Sequence, residues 1–199
     1  MKSKILPNDI RLWYQQPATD WKEGLPIGNG RIAAMVLGGI DHERITLNHG
    51  RLWREKKIPK ENNPKVAHNL PAIRKLFFDG KIIEGSNSAN QLLGTQTDAG
   101  MDPYQPAGDL IINFPKHAQV TNYRRELDIS TGIVHISYQH QGVTYTREVF
   151  ISNSDGILVV RLSSDKPKMN TCSVELSRIL DPECTITPWV EGNRIGFSG

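Results

Sequence analysis

From Gln105 to the last residue, strand-like segments follow one another at intervals of roughly ten residues. They read "GDLIINF", "NYRRELDI", "GIVHISYQH", "VTYTREVFIS" and "GILVVRLSS", then "TCSVELS", "CTITPWVEG" and "NRIGFSG", separated by Gly, Asp, Ser or Pro. Side chains alternate between the two faces of a strand, so segments this short cannot each bury a face alone. They must pair and stack, and the spacing predicts an antiparallel β-sandwich. Gln141-Gly142 joins two of them tightly, with Gly142 able to supply the positive φ of a primed hairpin turn.

The first fifty residues carry the same signal. "IRLWYQQ" opens it, and "RIAAMVLGG" and "ERITLN" follow with only Ile40, Asp41 and His42 between them, a hairpin spacing. Within the last of these, Ile45 and Leu47 share one face and Arg44 and Thr46 the other. Between the two strand-rich zones, Arg54 to about Pro103 reads as polar loop and short helix. "LPAIRKLFFDG" places Pro71 in a first helical turn, Gly80 at a stop, and Ile73, Leu76 and Phe77 on one stripe. "KIIEGSNSANQLLG" reads as a second short helix weakened by Gly85. Helix is expected largely within Pro71–Leu93, a short insertion in a mainly β chain.

The 199 residues suffice for a real core, and 38% of them are hydrophobic. The net charge of +3 is diffuse: the longest cluster, Arg54, Lys56, Lys57 and Lys60, is diluted by Glu55 and Glu61. A nucleic-acid stripe needs denser basic residues with interleaved aromatics, so no nucleic-acid partner is expected. No apolar run approaches the ~20 residues of a membrane span. Pro7, Asn8 and Asp9 interrupt any signal-like run, so the expected location is cytoplasmic; Cys172 and Cys184 are spaced so that a disulfide is geometrically open, with free thiols the reading that a reducing compartment favours.

Catalytic patterns are thin. Histidines 42, 49, 68, 117, 135 and 140 form no helical H-x-x-x-H, and the odd spacing of His135 and His140 puts them on opposite faces. No metal site and no cofactor are expected, and nucleophile elbows, P-loops and dinucleotide fingerprints are absent. The carboxylate pairs Asp98/Asp102, Glu126/Asp128, Asp41/Glu43 and Asp181/Glu183 read as solvated surface pairs, none with the aromatic wall that raises a general acid's pKa. What remains is a polar and aromatic collection: Asn29, Arg31, Asn48, His49, Arg51, Trp53 and Arg54. Such side chains bind sugars, Trp by stacking and Asn and Arg by fixed hydrogen bonds. The alternative is structural, with Trp53 packed in the core and Arg31 paired to a carboxylate.

The stretch "LWYQQPATDWKEGLPIGNGRIAAMVLGGIDHERITLNHGRLW", Leu12 to Trp53, resembles the opening of the glycoside hydrolase family 95 proteins, the inverting α-L-fucosidases and their α-L-galactosidase relatives. "YQPAGDLIINF", "VTNYRRELDISTGIVHISYQHQGVTYTREVFIS" and "ILVVRLSSDKP" resemble later strands of the same domain. The resemblance implies an N-terminal β-sandwich of super-sandwich kind, the domain that precedes an (α/α)6 catalytic barrel. It places the acid and the water-activating groups in that barrel, which matches no part of this chain, so no catalytic residue is carried over. Where many members read Leu-Asn-Glu-Asp-Thr-Leu-Trp-Ser-Gly-Gly, Asn48 is followed here by His49, Gly50 and Arg51, and Trp53 by Arg54 and Glu55.

The expectation is therefore an N-terminal, non-catalytic domain spanning 1–199, or a form of it truncated at its C-terminal end, with the barrel absent. Its role would be to support that barrel and shape its substrate entrance. Asn48, His49, Arg51, Trp53 and Arg54 are the candidate sugar contacts, for a fucosyl or galactosyl oligosaccharide. The alternatives are a stand-alone carbohydrate-binding module, with Trp53 or Trp189 as stacking platform, and a structural docking domain. A domain shaped against a barrel should expose an apolar patch around Leu92, Leu93, Met101 and Tyr104, and when alone either self-associate or hold that segment poorly ordered.

Overall fold

The structure, a computed structural model, describes residues 10–53, 67–92, 104–181 and 184–199. The chain divides into two compact units, Met1–Leu52 with Gln105–Gly199, and Trp53–Tyr104. Among the described residues strand accounts for 49% and helix for 16%, a mainly β protein with antiparallel sheets, as the alternation implies.

Among the described residues the larger unit holds twelve strands. Four precede the smaller unit: β1 (Arg11–Tyr14), β2 (Leu25–Gly28), β3 (Ile32–Val36) and β4 (His42–His49). The rest are β5 (Gly108–Asn113), β6 (Thr121–Asp128), β7 (Ile133–His140), β8 (Val143–Ser152), β9 (Ile157–Ser164), β10 (Ser173–Ser177), β11 (Thr187–Glu191) and β12 (Arg194–Ser198). One five-stranded sheet runs β1-β6-β7-β8-β9 and the other β10-β5-β4-β3-β2, while β11 and β12 form a separate hairpin. The period-two pattern accounts for eleven of these strands. It misses β2, "LPIG", because Pro26 argues against a strand; β2 lies at the end of its sheet, where a missing N–H costs no ladder bond.

The core joins the inward faces of both sheets. Leu25, Ile27, Ala34, Val36 and Ile45 from one meet Leu127, Val134, Ile136 and Val149 from the other. Burying an aliphatic side chain of this size is worth ~1.5–3 kcal/mol, so this layer dominates the fold's stability. Ile45 is buried and Leu47 packs against it, the face assigned from the alternation. Gln141 and Gly142 both adopt positive φ, 48° and 69°, in the tight turn between β7 and β8.

Three charged side chains also face inward: Glu43, Arg125 and Arg147, at 0%, 2% and 3% exposure. Glu43 alternates with Ile45 and Leu47, and Arg147 with Tyr145 and Val149, so the same pleat carries both into the interior. Arg147 Nη1 pairs with Glu43 Oε2 and donates to the Gly39 carbonyl at 3.1 Å, under the ring of Phe114. The Gly38 N–H donates to Glu43 Oε1 at 2.9 Å, and Tyr123 Oη donates to the Gly38 carbonyl at 2.6 Å. Arg125 donates to the carbonyls of Gln16 and Glu23, both at 2.8 Å, and stacks on Tyr14. This network ties the Gly38-Gly39 turn and the β1–β2 connection to the opposite sheet.

The smaller unit contains α1 (Leu70–Phe78) and α2 (Ile82–Leu92). Pro71 stands in the first turn of α1, and the chain reverses at Asp79-Gly80, with Gly80 N–H donating to the Phe77 carbonyl. Of the apolar stripe, Ile73 is buried while Phe77 is 37% exposed. The Phe77 ring lies against Gly85, the buried residue of α2.

Candidate functional site

Asn48 and His49 end β4, opposite Ala33 and Ile32 of β3. The chain then turns: Gly50 N–H donates to the Arg31 carbonyl at 2.8 Å and Leu52 N–H to the His49 carbonyl at 3.0 Å. This turn brings the His49 ring against the Arg31 side chain and the Arg51 backbone N–H. Arg31 Nε–H approaches His49 Nε2 at 3.4 Å, and Arg51 N–H approaches His49 Nδ1 at 3.2 Å. A neutral imidazole offers one acceptor nitrogen, so only one of these bonds forms at a time. The His49 ring thus stands between two N–H donors, with both guanidinium groups exposed.

Asn29 does something different. Its Oδ1 accepts from Arg31 N–H and Ile32 N–H at 3.0 and 2.8 Å, and its Nδ2 donates to the Ser152 carbonyl at 3.3 Å. It builds the β2–β3 turn and so fixes where Arg31 begins. Trp53 belongs to the smaller unit, where it bridges antiparallel to Tyr104 with ring centroids 5.1 Å apart, edge to face. It is 53% exposed, leaving ring surface open. Arg54 lies outside the described residues. Trp189, the other candidate platform, is 42% exposed on β11 and pairs in register with Gly196.

A shallow depression of about 430 Å³ on the outer face of the first sheet is lined by Arg11, Arg124, Glu126, His135, Ser137 and Thr146. Its charges are already paired. Arg11 bonds Glu126 at 2.9 Å and reaches Asp128 at 3.6 Å, and Arg124 bonds Glu126 at 2.6 Å while stacking on Trp13. Glu126 and Asp128 do share a face, as their spacing implies, and they anchor β1 rather than stand free. The Ser130 hydroxyl, with the Arg11 charge as a lesser contribution, holds the Asp128 carboxyl below the usual carboxylate range.

The Asp41/Glu43 pair departs from the solvated reading. Glu43 is fully buried against Arg147, and Asp41 Oδ1 accepts the His117 N–H at 2.8 Å. The alternation with Ile45 and Leu47 was a signal that could have placed Glu43 inside, and its charge outweighed it in the solvated reading. Asp98, Asp102 and Glu183 lie outside the described residues. His135 and His140 do face opposite sides of β7: His135 lines the outer depression, and His140 stacks on His117 at 4.5 Å. The inward aromatic group of His117, Tyr138, His140 and Tyr145 was not foreseen, because its members come from three segments that only the sheet registry brings together. Among the described residues no group of three or more His, Cys, Asp or Glu is placed to hold a metal ion.

Residues 12–199 match the family model for the "Glycosyl hydrolase family 65, N-terminal domain". The chain is 32% identical over 171 residues to Alpha-L-fucosidase 2 of Arabidopsis thaliana, which covers 84% of this chain and 20% of that protein. It is 36% identical over 164 residues to the Probable alpha-fucosidase A of Aspergillus niger, 77% of this chain and 20% of the relative. The corresponding protein of Aspergillus oryzae is 28% identical over 162 residues. The chain thus spans about a fifth of the length of the curated relatives it matches. The fucosidase resemblance read from Leu12–Trp53 is upheld by these relatives, and since the domain model takes in nearly every residue, the chain belongs to the glycosyl hydrolase family 65 N-terminal domain family.

Proposed function

We propose that this chain is the non-catalytic N-terminal sandwich of an α-L-fucosidase-type glycoside hydrolase, supporting the catalytic domain and shaping its substrate entrance. The observation that carries this reading is the mismatch of coverage: fucosidases match most of this chain, yet the match accounts for a fifth of their length. The carboxylates support it. Inverting hydrolysis uses an acid and a base about 6.5–9.5 Å apart across an open bond-cleaving site. Here Glu43 is buried against Arg147, and Glu126 and Asp128 are bonded to Arg11. The Arg31–His49–Arg51 turn supplies hydrogen-bond donors suited to the hydroxyls of a fucosyl or galactosyl oligosaccharide.

A docking role has its own support in the smaller unit. Phe78, Ile82 and Ile83 are 88%, 57% and 77% exposed, with Leu92 at 44% and Tyr104 at 37%. Leu93 and Met101 lie outside the described residues. Covering even ~400 Å² of apolar surface is worth roughly 10 kcal/mol before association costs, so a lone chain self-associates through this surface. The test compares the 199-residue chain with the full reading frame on an aryl α-L-fucoside. The lone chain is inactive and the full protein turns over with inversion, and His49→Ala in the full protein raises KM. Turnover by the lone chain, or an inactive full protein, overturns the reading.

A further inference from the structure

At the end of the first sheet marked by the Gln141–Gly142 turn, two imidazoles stack with their centroids 4.5 Å apart and their planes 14° from parallel. His140 comes from the end of β7 and His117 from the 114–120 segment between β5 and β6. Tyr145 of β8 packs against His117 at 4.7 Å, and Tyr138 of β7 packs against Tyr145 at 5.3 Å. Tyr138, Val143 and Tyr145 are 3%, 4% and 8% exposed and form a second core, onto which Ile40, Val120 and Tyr123 pack.

The 114–120 segment is also tied by Val120, which packs on that second core, by the Phe114 ring over Arg147, and by two bonds to Asp41. Phe114 N–H donates to the Asp41 carbonyl at 2.9 Å, and His117 N–H donates to Asp41 Oδ1 at 2.8 Å. Its backbone passes through positive φ at Gln119, 59°, and again just beyond at Asn122, 52°. Non-glycine residues hold such conformations only where their surroundings fix them. Asn122 is held within β6 by its Nδ2 bond to Gln139 Oε1 at 2.7 Å, while around Gln119 the neighbouring groups are the Asp41 turn, the imidazole stack and the Tyr138 hydroxyl, which lies 3.2 Å from His117 Nδ1.

We propose that His117 and His140 form an acid-sensitive latch: neutral and stacked, they clamp the 114–120 segment to the Asp41 turn, and protonated, they part and release it. Two positive rings cannot share that stack, because like charges this close repel with little water between them. His140 Nδ1 is already buried with no hydrogen-bond partner among the described residues, so a proton there would be held without a counter-ion. The Tyr138 phenol, pushed up to about 12 chiefly by burial, stays protonated and is available as a donor to the neutral His117 ring in the tautomer whose Nδ1 is unprotonated.

The other charged groups near the stack are Asp41, Arg147 beyond Tyr138, and Lys166 beside the Gly142 turn. Asp41 alone favours the imidazolium. Burial and, second, His140 prevail over it and hold His117 below the usual histidine value. A histidine depressed in the fold takes up its proton first in the unfolded chain. The stability it contributes is therefore present above about pH 6.5 and lost as pH falls through the folded value. The latch opens on acidification.

Proton NMR titration of both rings between pH 8 and pH 4.5, with amide exchange at His117 corrected for intrinsic rate, tests this in the 199-residue chain. The two rings titrate as a coupled pair in separated steps, and His117 amide protection drops at the second of them, when both rings carry charge. His140→Phe keeps the stack, removes one charge and moves the His117 midpoint up. If that variant does not fold, the unmodified chain still decides. Independent titration of the two rings at ordinary values, or protection lost only where Asp41 protonates, overturns the latch.

Discussion

Replacing Arg147 with methionine tests whether the polar interior is organised around one ion pair. The side chains of Glu43 and Arg147 are 0% and 4% exposed, so water cannot take over when one partner is removed. Arg147→Met keeps a stem to fill most of the volume. It leaves the Glu43 carboxylate with the Gly38 N–H and strips the Gly39 carbonyl of its Arg147 donor. Breaking a buried pair in this way costs about 3–5 kcal/mol. Against a typical domain stability of 5–15 kcal/mol, that is a large fraction of the total.

Urea unfolding followed by tryptophan fluorescence measures the loss at pH 7. Adding Glu43→Gln in the same chain removes the stranded charge while keeping an oxygen for Gly38, so the double variant is more stable than Arg147→Met alone. The pH dependence supplies a second check. Burial pushes the Glu43 carboxyl up and Arg147 opposes it, so removing Arg147 raises it further. A carboxyl raised in the fold contributes stability that is complete below its unfolded value, about 4.3, and lost as pH rises through the folded one. The deficit of Arg147→Met therefore narrows as pH falls from 7 to 4.5. A cost under about 1 kcal/mol, the level of an exposed pair, refutes the reasoning. So does a deficit that does not change with pH.

Three further outcomes are expected. Gly39→Ala places a methyl against the His42 carbonyl oxygen, with only backbone to yield, and should cost at least the 1–3 kcal/mol of an overpacked site in the same urea assay. Tyr123→Phe removes the 2.6 Å bond to the Gly38 carbonyl and should cost about 1–3 kcal/mol; a neutral result would mean that carbonyl finds another donor. Hydrogen bonds from the Ser152 and Ser154 hydroxyls lower Asp155, and those from Thr144 lower Asp165. Their contributions are present above the unfolded value near 3.9 and lost as pH falls through the lowered one, so Asp155→Asn should flatten the acid limb of a melting-temperature profile.

The sandwich was legible in the sequence because a strand with one buried face must alternate, and that pattern survives without knowledge of the partner strand. β2 was hidden by the same logic: Pro26 is disqualifying in a central strand and harmless at the sheet edge, and edge position depends on strand order, which no local pattern encodes. The candidate turn was legible in part. Asn48, His49 and Arg51 are near neighbours in sequence, and β3–β4 pairing then brings Arg31 to them. The His117–His140 stack lies at the other extreme, since it needs the register of β7 and the path of the chain before β6. Glu43 is the instructive case between these. Its charge led to a solvated reading, although its place two residues before Ile45 sets it on the inward face, and the pleat prevailed because Arg147, 104 residues later, occupies the facing inward position on β8. Pattern thus outranks residue type wherever a distant strand can supply the opposite charge.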